Sequence, residues 1–306
     1  MGSVNGAHGP CPFKEASLSP LRVSKKGAPW RAMDWQAHFN TSLCQEIEHQ
    51  PGFSPRLRDA LLYAVRSPGK RLRPRFVKES GERLGLSGTV LDLCGFALES
   101  VHLFSLIHDD LPALDDDDFR RGLPTLHRKF DEGTALLAGD ELLNLSYSFF
   151  FRMNGLLPEG RLLPALRYFT NCAGSAGMIG GQMLELEIVR SGATPDLPTL
   201  LKIQDLKTGA LFRASILTPV LLAGHDESSE TFLDLEAFAR SFGFAFQIAD
   251  DLEDEAQDQR DSVKNILSLM GRESAIEMAI KGLESSKIAL EFSATPFLID
   301  LLRSKR

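Results

Sequence analysis

From about residue 33 onward, apolar residues recur three and four positions apart through one long stretch after another. Examples are LRDALLYAV (57–65), TVLDLCGFALESVHLFSLI (89–107), EGTALLAGDELLNLSYSFFF (132–151), IQDLKTGALFRASILTPVLLAG (203–224) and TFLDLEAFARSFGFAFQIADDLED (231–254). That spacing matches the 3.6-residue turn of an α-helix, and no run alternates strictly as a half-buried strand would. Turn signals fall between the runs at Gln50-Pro51-Gly52, Ser67-Pro68-Gly69, Pro158-Glu159-Gly160 and Ala193-Thr194-Pro195. Several helices are apolar nearly all round, which suits helices enclosed by others. The reading is an all-α, single-domain helical bundle over 33–306. The small-residue run CAGSAGMIGG (172–181) lets two helices approach closely.

Residues 1–32 contrast with this. They are rich in Gly, Pro, Ser and Lys and show no helical period, so they read as a disordered tail. They lack the apolar core of a secretory signal, and Gly6 breaks the myristoylation pattern. A formal net charge of −7 argues against nucleic acid as partner. The cysteines, Cys11, Cys44, Cys94 and Cys172, include no CxxC pair, which fits a reducing, cytoplasmic setting. No uninterrupted apolar run reaches the roughly 18–20 residues of a membrane span, so no transmembrane segment is expected.

Chemistry concentrates where apolar helices run into acid. Six of the ten residues from Asp109 to Asp118 are aspartates, directly behind VHLFSLI. Asp109 and Asp115 are six apart and would face differently on a continuous helix. Pro112 makes continuity unfavourable, and a helix ending near Leu111 lets Asp115 fold back toward Asp109. A second cluster, Asp250-Asp251-Leu252-Glu253-Asp254, closes SFGFAFQIA, and Asp250 and Asp254 share one helix face. Stacked carboxylates repel unless a cation joins them. Oxygen ligands without cysteine select Mg²⁺, with Mn²⁺ as a substitute, and magnesium takes one or two carboxylates together with phosphate oxygens.

Cations stand ready for such phosphates. Gly69-Lys70-Arg71-Leu72-Arg73-Pro74 places three within four residues, Arg120-Arg121 follow the first acidic run, and Lys207-Thr208-Gly209 adds a cation and a hydroxyl.

In this order GKRLRP, ESVHLFSLIHDDLPALDDDDFRRGLPTLH, LAGDELL, GGQMLELE, KTGALFRAS and FGFAFQIADDLED resemble the trans-type isoprenyl diphosphate synthases, and within them the bacterial farnesyl and geranylgeranyl diphosphate synthases. The resemblance implies the isoprenoid-synthase bundle with a central apolar cavity, a homodimer, and Mg²⁺-dependent condensation of isopentenyl diphosphate with an allylic diphosphate. It also implies roles for residues. Asp109, Asp115, Asp250 and Asp254 would bind metal, supported by Asp110 and Asp251. Lys70, Arg73, His102 and Arg121 would take isopentenyl diphosphate. Arg120, Lys207, Thr208 and Gln247 would contact the allylic diphosphate.

Phe104 lies five residues before Asp109, roughly 7.5 Å along a helix. In the family an aromatic residue there stops the chain at fifteen carbons, so Phe104, with Ser105 beside it, implies farnesyl diphosphate. Geranylgeranyl diphosphate is the alternative product. The sequence departs from the family after Asp254, where DDLEDEAQDQRDSVKNILSLMG is shortened and carries only Lys264. That departure keeps open a second alternative, a non-catalytic partner subunit. A carboxylate-bridged di-iron protein would use Glu46-x-x-His49 and Glu99-x-x-His102, but it gives no role to either aspartate motif.

Overall fold

The structure is a computed structural model. It describes residues 32–257, 265–286 and 288–305, with the side chains of 32–34, 254–257 and 290 outside that description. The helices are α1 Ala32–His49, α2 Pro55–Arg66, α3 Leu72–Arg83, α4 Gly88–Asp109, α5 Leu126–Lys129, α6 Glu132–Arg152 and α7 Leu162–Ala173. They continue with α8 Met178–Ser191, α9 Leu197–Gln204, α10 Ala210–Leu222, α11 Glu230–Gln257, α12 Ile266–Met270, α13 Arg272–Ser285 and α14 Ala294–Ser304. The described extended structure is a two-residue hairpin, β1 Phe119–Arg120 against β2 Leu123–Pro124. The chain is all-α, as the periodicity requires. α1 begins at Ala32, one residue before the expected start; the reading of the preceding residues as a tail lies outside the described residues, as does the shortened segment at 258–264.

Local chemistry sets the helix starts. Ser54 and Ser87 accept hydrogen bonds from the amides of Leu57 (3.3 Å) and Val90 (3.4 Å), and Asp131 accepts from that of Thr134 (2.7 Å). Pro55 opens α2, where its missing N–H costs nothing. α4 then runs 22 residues. By length and composition alone α4 is apolar enough to cross a membrane, although polar residues interrupt its apolar run, but 78% of that window is buried inside the bundle.

α4 packs most extensively along α6 and also lies against α3 and α10. The core between α3, α10 and α11 is aromatic. Phe76 meets Phe242 edge-on at 4.7 Å, Phe212 meets Phe242 at 5.2 Å, and Phe238 stacks on Phe292 at 4.6 Å. This wall sits directly behind the charged end of the bundle: the Arg73 guanidinium lies 4.9 Å from the Phe212 ring centre.

Candidate active site

The first acidic motif forms because α4 stops. Asp109 is its last residue, and the Asp115 amide donates back to the Asp109 carbonyl at 2.9 Å. The amides of Leu114 and Asp116 both turn to the Leu111 carbonyl, at 2.9 and 3.2 Å, closing the loop over Pro112. Asp115 therefore folds back onto Asp109, as the break at proline implied. Burial pushes the Asp109 carboxyl up to about 6; Lys207 opposes the shift and Asp115 adds to it. Burial raises Asp115 too, again against Lys207. Asp110 is turned away and buried, and accepts from Arg120 Nε at 2.5 Å. Arg120 also reaches Asp117 at 3.3 Å, so it is held among carboxylates and lines a separate small cavity behind the hairpin.

The basic motif divides its labour. Arg71, in the left-handed region at φ 49°, is buried and donates to Glu99 at 2.7 Å, Asn40 at 2.8 Å, the Ser67 carbonyl at 3.1 Å and the Val65 carbonyl. It anchors the turn from beneath. Lys70, Arg73, His102 and Arg121 line one cavity of about 470 Å³, together with the Arg71–Glu99 pair, Asp250 and Glu253. Arg121 and Gly122 have φ of 53° and 77°, the two left-handed positions of the turn joining β1 and β2. This turn carries Arg121 back to donate to the Pro68 carbonyl at 2.6 Å. Gly69 makes the crowding possible, since a Cβ there would stand 2.5 Å from Arg121 Nη1. Desolvation lowers Arg73 to about 10 and holds His102 well below the usual imidazole range, with four nearby arginines adding to the His102 shift.

A second cavity, of about 380 Å³, shares Arg73 and His102 with the first. Asp109, Lys207 and Thr208 stand on its wall, and the remainder is mainly apolar: Phe104, Leu106, Leu114, Met178, Met183 and Leu211 among others. Phe104 and Ser105 both line it, and Phe104 meets the His108 ring edge-on at 4.9 Å. The His108 ring fills the space that a Cβ on Gly139 would occupy, 2.2 Å from Nε2.

Lys207 and Thr208 reach this cavity from a π-helical turn, Asp205–Gly209, between α9 and α10. Gly181 of α8 permits it, because a Cβ there would stand 2.4 Å from the Lys207 amide nitrogen; this is where the small-residue run gives its close approach. Lys207 pairs with Glu185, a partner the sequence reading did not single out. Thr208 donates to Gln247 Oε1 at 3.0 Å, and Gln247 Nε2 donates to Asp251 Oδ1 at 2.8 Å. The second acidic motif is thus tied to the π turn. Asp250 lines the basic cavity; the Asp254 side chain lies outside the described residues.

Among the described residues, no three carboxylate, imidazole or thiol groups converge to hold an ion unaided. Paired carboxylates facing clustered cations fit a metal that completes its shell with phosphate oxygens, the habit of Mg²⁺. They do not fit a di-iron centre. Glu46 is gripped by Arg152 at 2.6 and 3.0 Å, and Glu99 is paired with Arg71, so both carboxylates are already taken.

A sequence profile described as polyprenyl synthetase matches residues 54–277. The chain belongs to the polyprenyl synthetase family. Among relatives in that family, farnesyl diphosphate synthase of Escherichia coli K12 is 40% identical over 218 residues, spanning 70% of this chain and 71% of that one. A geranyltransferase from Legionella pneumophila superposes with a TM-score of 0.78 at 31% identity, covering 90% of this chain and 95% of its own. A geranyltransferase from Helicobacter pylori, solved with magnesium and isoprenyl diphosphate, gives 0.69 at 26% identity over 92% and 98%. The family match over residues 54–277 contains all six motifs, and the all-α bundle is shared over 90% of the chain.

Proposed function

We propose that this chain is a short-chain trans-prenyltransferase that condenses isopentenyl diphosphate with dimethylallyl and then geranyl diphosphate, releasing farnesyl diphosphate. The observation that carries this reading is the junction of the two cavities. One is walled by Lys70, Arg73, His102 and Arg121, the other is apolar with Asp109, Lys207 and Thr208 on its wall, and they meet at Arg73 and His102. A bundle that binds one diphosphate in a basic pocket and seats a second above a hydrocarbon slot brings two such substrates together at that junction.

In the basic cavity Lys70, Arg73 and Arg121 bind the diphosphate of isopentenyl diphosphate, and the His102 ring donates a hydrogen bond to it. Lys207 and Thr208, with Gln247 behind Thr208, orient the allylic diphosphate, while Arg120, expected to join them, is turned to Asp110 and Asp117 and acts on the first acidic motif. Asp109 and Asp115 with Asp250 and Asp254 would hold Mg²⁺, supported by Asp110 and Asp251; bound magnesium supplies the positive charge that stabilises diphosphate as it leaves. The apolar wall excludes water from the allylic cation, so the double bond of the neighbouring substrate attacks it, and the cation so formed loses a proton to the departed diphosphate to give the new double bond. Phe104 and Ser105 form the floor against which the product stops growing. The same reading takes residues 33–306 as the catalytic domain and expects a cytoplasmic homodimer, which light scattering tests.

The deciding experiment is product analysis with Mg²⁺, radiolabelled isopentenyl diphosphate and each allylic starter in turn. Farnesol after phosphatase treatment, with farnesyl diphosphate unused as a starter, supports the reading. Geranylgeraniol retains the class and removes Phe104 as the stop. No incorporation with any starter turns attention to the non-catalytic subunit.

A further inference from the structure

The π turn that presents Lys207 and Thr208 is closed by an ion pair that neither the acidic nor the basic motifs include. Asp205 is the first residue of the turn, and Arg213 lies one helical turn beyond its last residue, Gly209. Arg213 is buried, and its Nη1 donates across to Asp205 Oδ1. The bond therefore spans the irregular segment from one side to the other. Gly209 leaves the passage for it, since a Cβ there would stand 3.3 Å from both Arg213 Nη1 and Asp205 Oδ1. From outside, Arg240 of α11 adds longer contacts to both Asp205 oxygens, at 3.3 and 3.4 Å, and is itself held by Glu236 at 3.0 Å. Gly243 on α11 lies against Gly209, where a Cβ would stand 3.1 Å from the Gly209 Cα.

A π turn widens the helix by one residue and is less favourable than the α-helix flanking it, so it persists only where surrounding contacts over-determine it. Relaxed to regular α-helix, the segment would rotate α9 by up to about 100° relative to α10, one residue's share of a 3.6-residue turn, and would swing Lys207 and Thr208, inside the turn, through part of that angle. The two side chains would then leave the cavity wall together.

We propose that Asp205 and Arg213 form a clasp that holds the π turn open, and that both are positioning residues for the allylic diphosphate. They act through Lys207 and Thr208 and touch no substrate themselves. This rests on the functional reading above for its kinetic consequence, but not for its structural one.

The test compares wild type with Arg213→Lys, which keeps the charge but loses the planar fork, and with Asp205→Asn. Arg240→Gln serves as the control, because it leaves the Asp205–Arg213 bond in place. Backbone amide exchange across 205–209 is expected to rise at least tenfold in the first two variants and less than twofold in the control, with exchange in α4 unchanged. In steady-state assays the Michaelis constant for geranyl diphosphate rises about tenfold while that for isopentenyl diphosphate stays within twofold. A lowered melting temperature with unchanged exchange at 205–209 and unchanged Michaelis constants would overturn the clasp and leave the pair a packing feature. Should either variant fail to fold, Asp205→Glu, which keeps the charge on a longer stem, is read by the same two measurements. If wild type condenses neither substrate, the functional reading fails, and the exchange data alone decide the clasp.

Discussion

The two cavities that meet at Arg73 and His102 use irregular backbone to different extents. The basic one sets loops and turns, the Ser67–Arg71 segment locked by the buried Arg71–Glu99 pair and the left-handed hairpin turn at Arg121-Gly122, against Arg73, His102, Asp250 and Glu253 from α3, α4 and α11. The apolar one is made from helix faces, α4, α8 and α10, and irregular backbone enters it chiefly at the Pro112 loop and the π turn. Charge needs donors aimed from several directions, and loops supply directions that a helix cannot. Hydrocarbon needs continuous walls with no unpaired backbone polar groups, and helices satisfy their own. The difference predicts where each cavity breaks.

The largest effect is expected at the polar edge of the apolar cavity. Asp109→Ala should lower kcat by about 10²–10³-fold, the range seen when a group stabilising developing charge is removed; steady-state rates at saturating Mg²⁺ measure it. Next comes the anchor of the basic cavity. Glu99→Gln leaves the buried Arg71 charge without its counter-charge, and should cost about 3 kcal/mol of stability, since breaking a buried pair is far dearer than its presence is beneficial. Denaturant midpoints read that loss, and the Michaelis constant for isopentenyl diphosphate should rise with it.

A third effect separates the cavities by pH. Burial raises the Asp109 carboxyl to about 6, above its unfolded value of 3.8. A raised carboxyl is protonated more readily in the folded chain, so its contribution to stability is present below about 3.8 and is lost as pH rises through about 6. Metal requires the ionised form. The magnesium concentration for half-maximal rate should therefore climb up to about tenfold for each pH unit below about 6, while stability without metal gains from this group over the same descent. The smallest change concerns the floor. Phe104→Ala should leave the rate within a few-fold and extend the main product by one five-carbon unit, as gas chromatography of the dephosphorylated alcohols would show. An unchanged product length would place the stop elsewhere along the cavity.

Much of this site was legible because its elements are local. The Pro112 break between Asp109 and Asp115, the two-turn spacing from His102 to Asp109, and the cations of GKRLRP can all be read along a few residues. What escaped depends on partners distant in sequence. Arg71 reads as one more cation beside Lys70 and Arg73, and only Glu99 and Asn40, arriving from α4 and α1, turn it into an anchor. The periodicity of α9 and α10 likewise gave no sign of a π turn, because one extra residue in a run apolar on most sides changes no pattern. Gly181 and Gly209 were its only local trace, and their meaning depends on which backbone and side chains lie against them.

One consequence follows from the hydrogen bond that returns the Asp115 amide to the Asp109 carbonyl. It fixes the separation of two like-charged side chains when the chain folds, before any ligand arrives. The entropy of gathering them is thus lost once, at folding, and not again in every catalytic cycle, so each arriving substrate meets a clamp whose first jaw is already set.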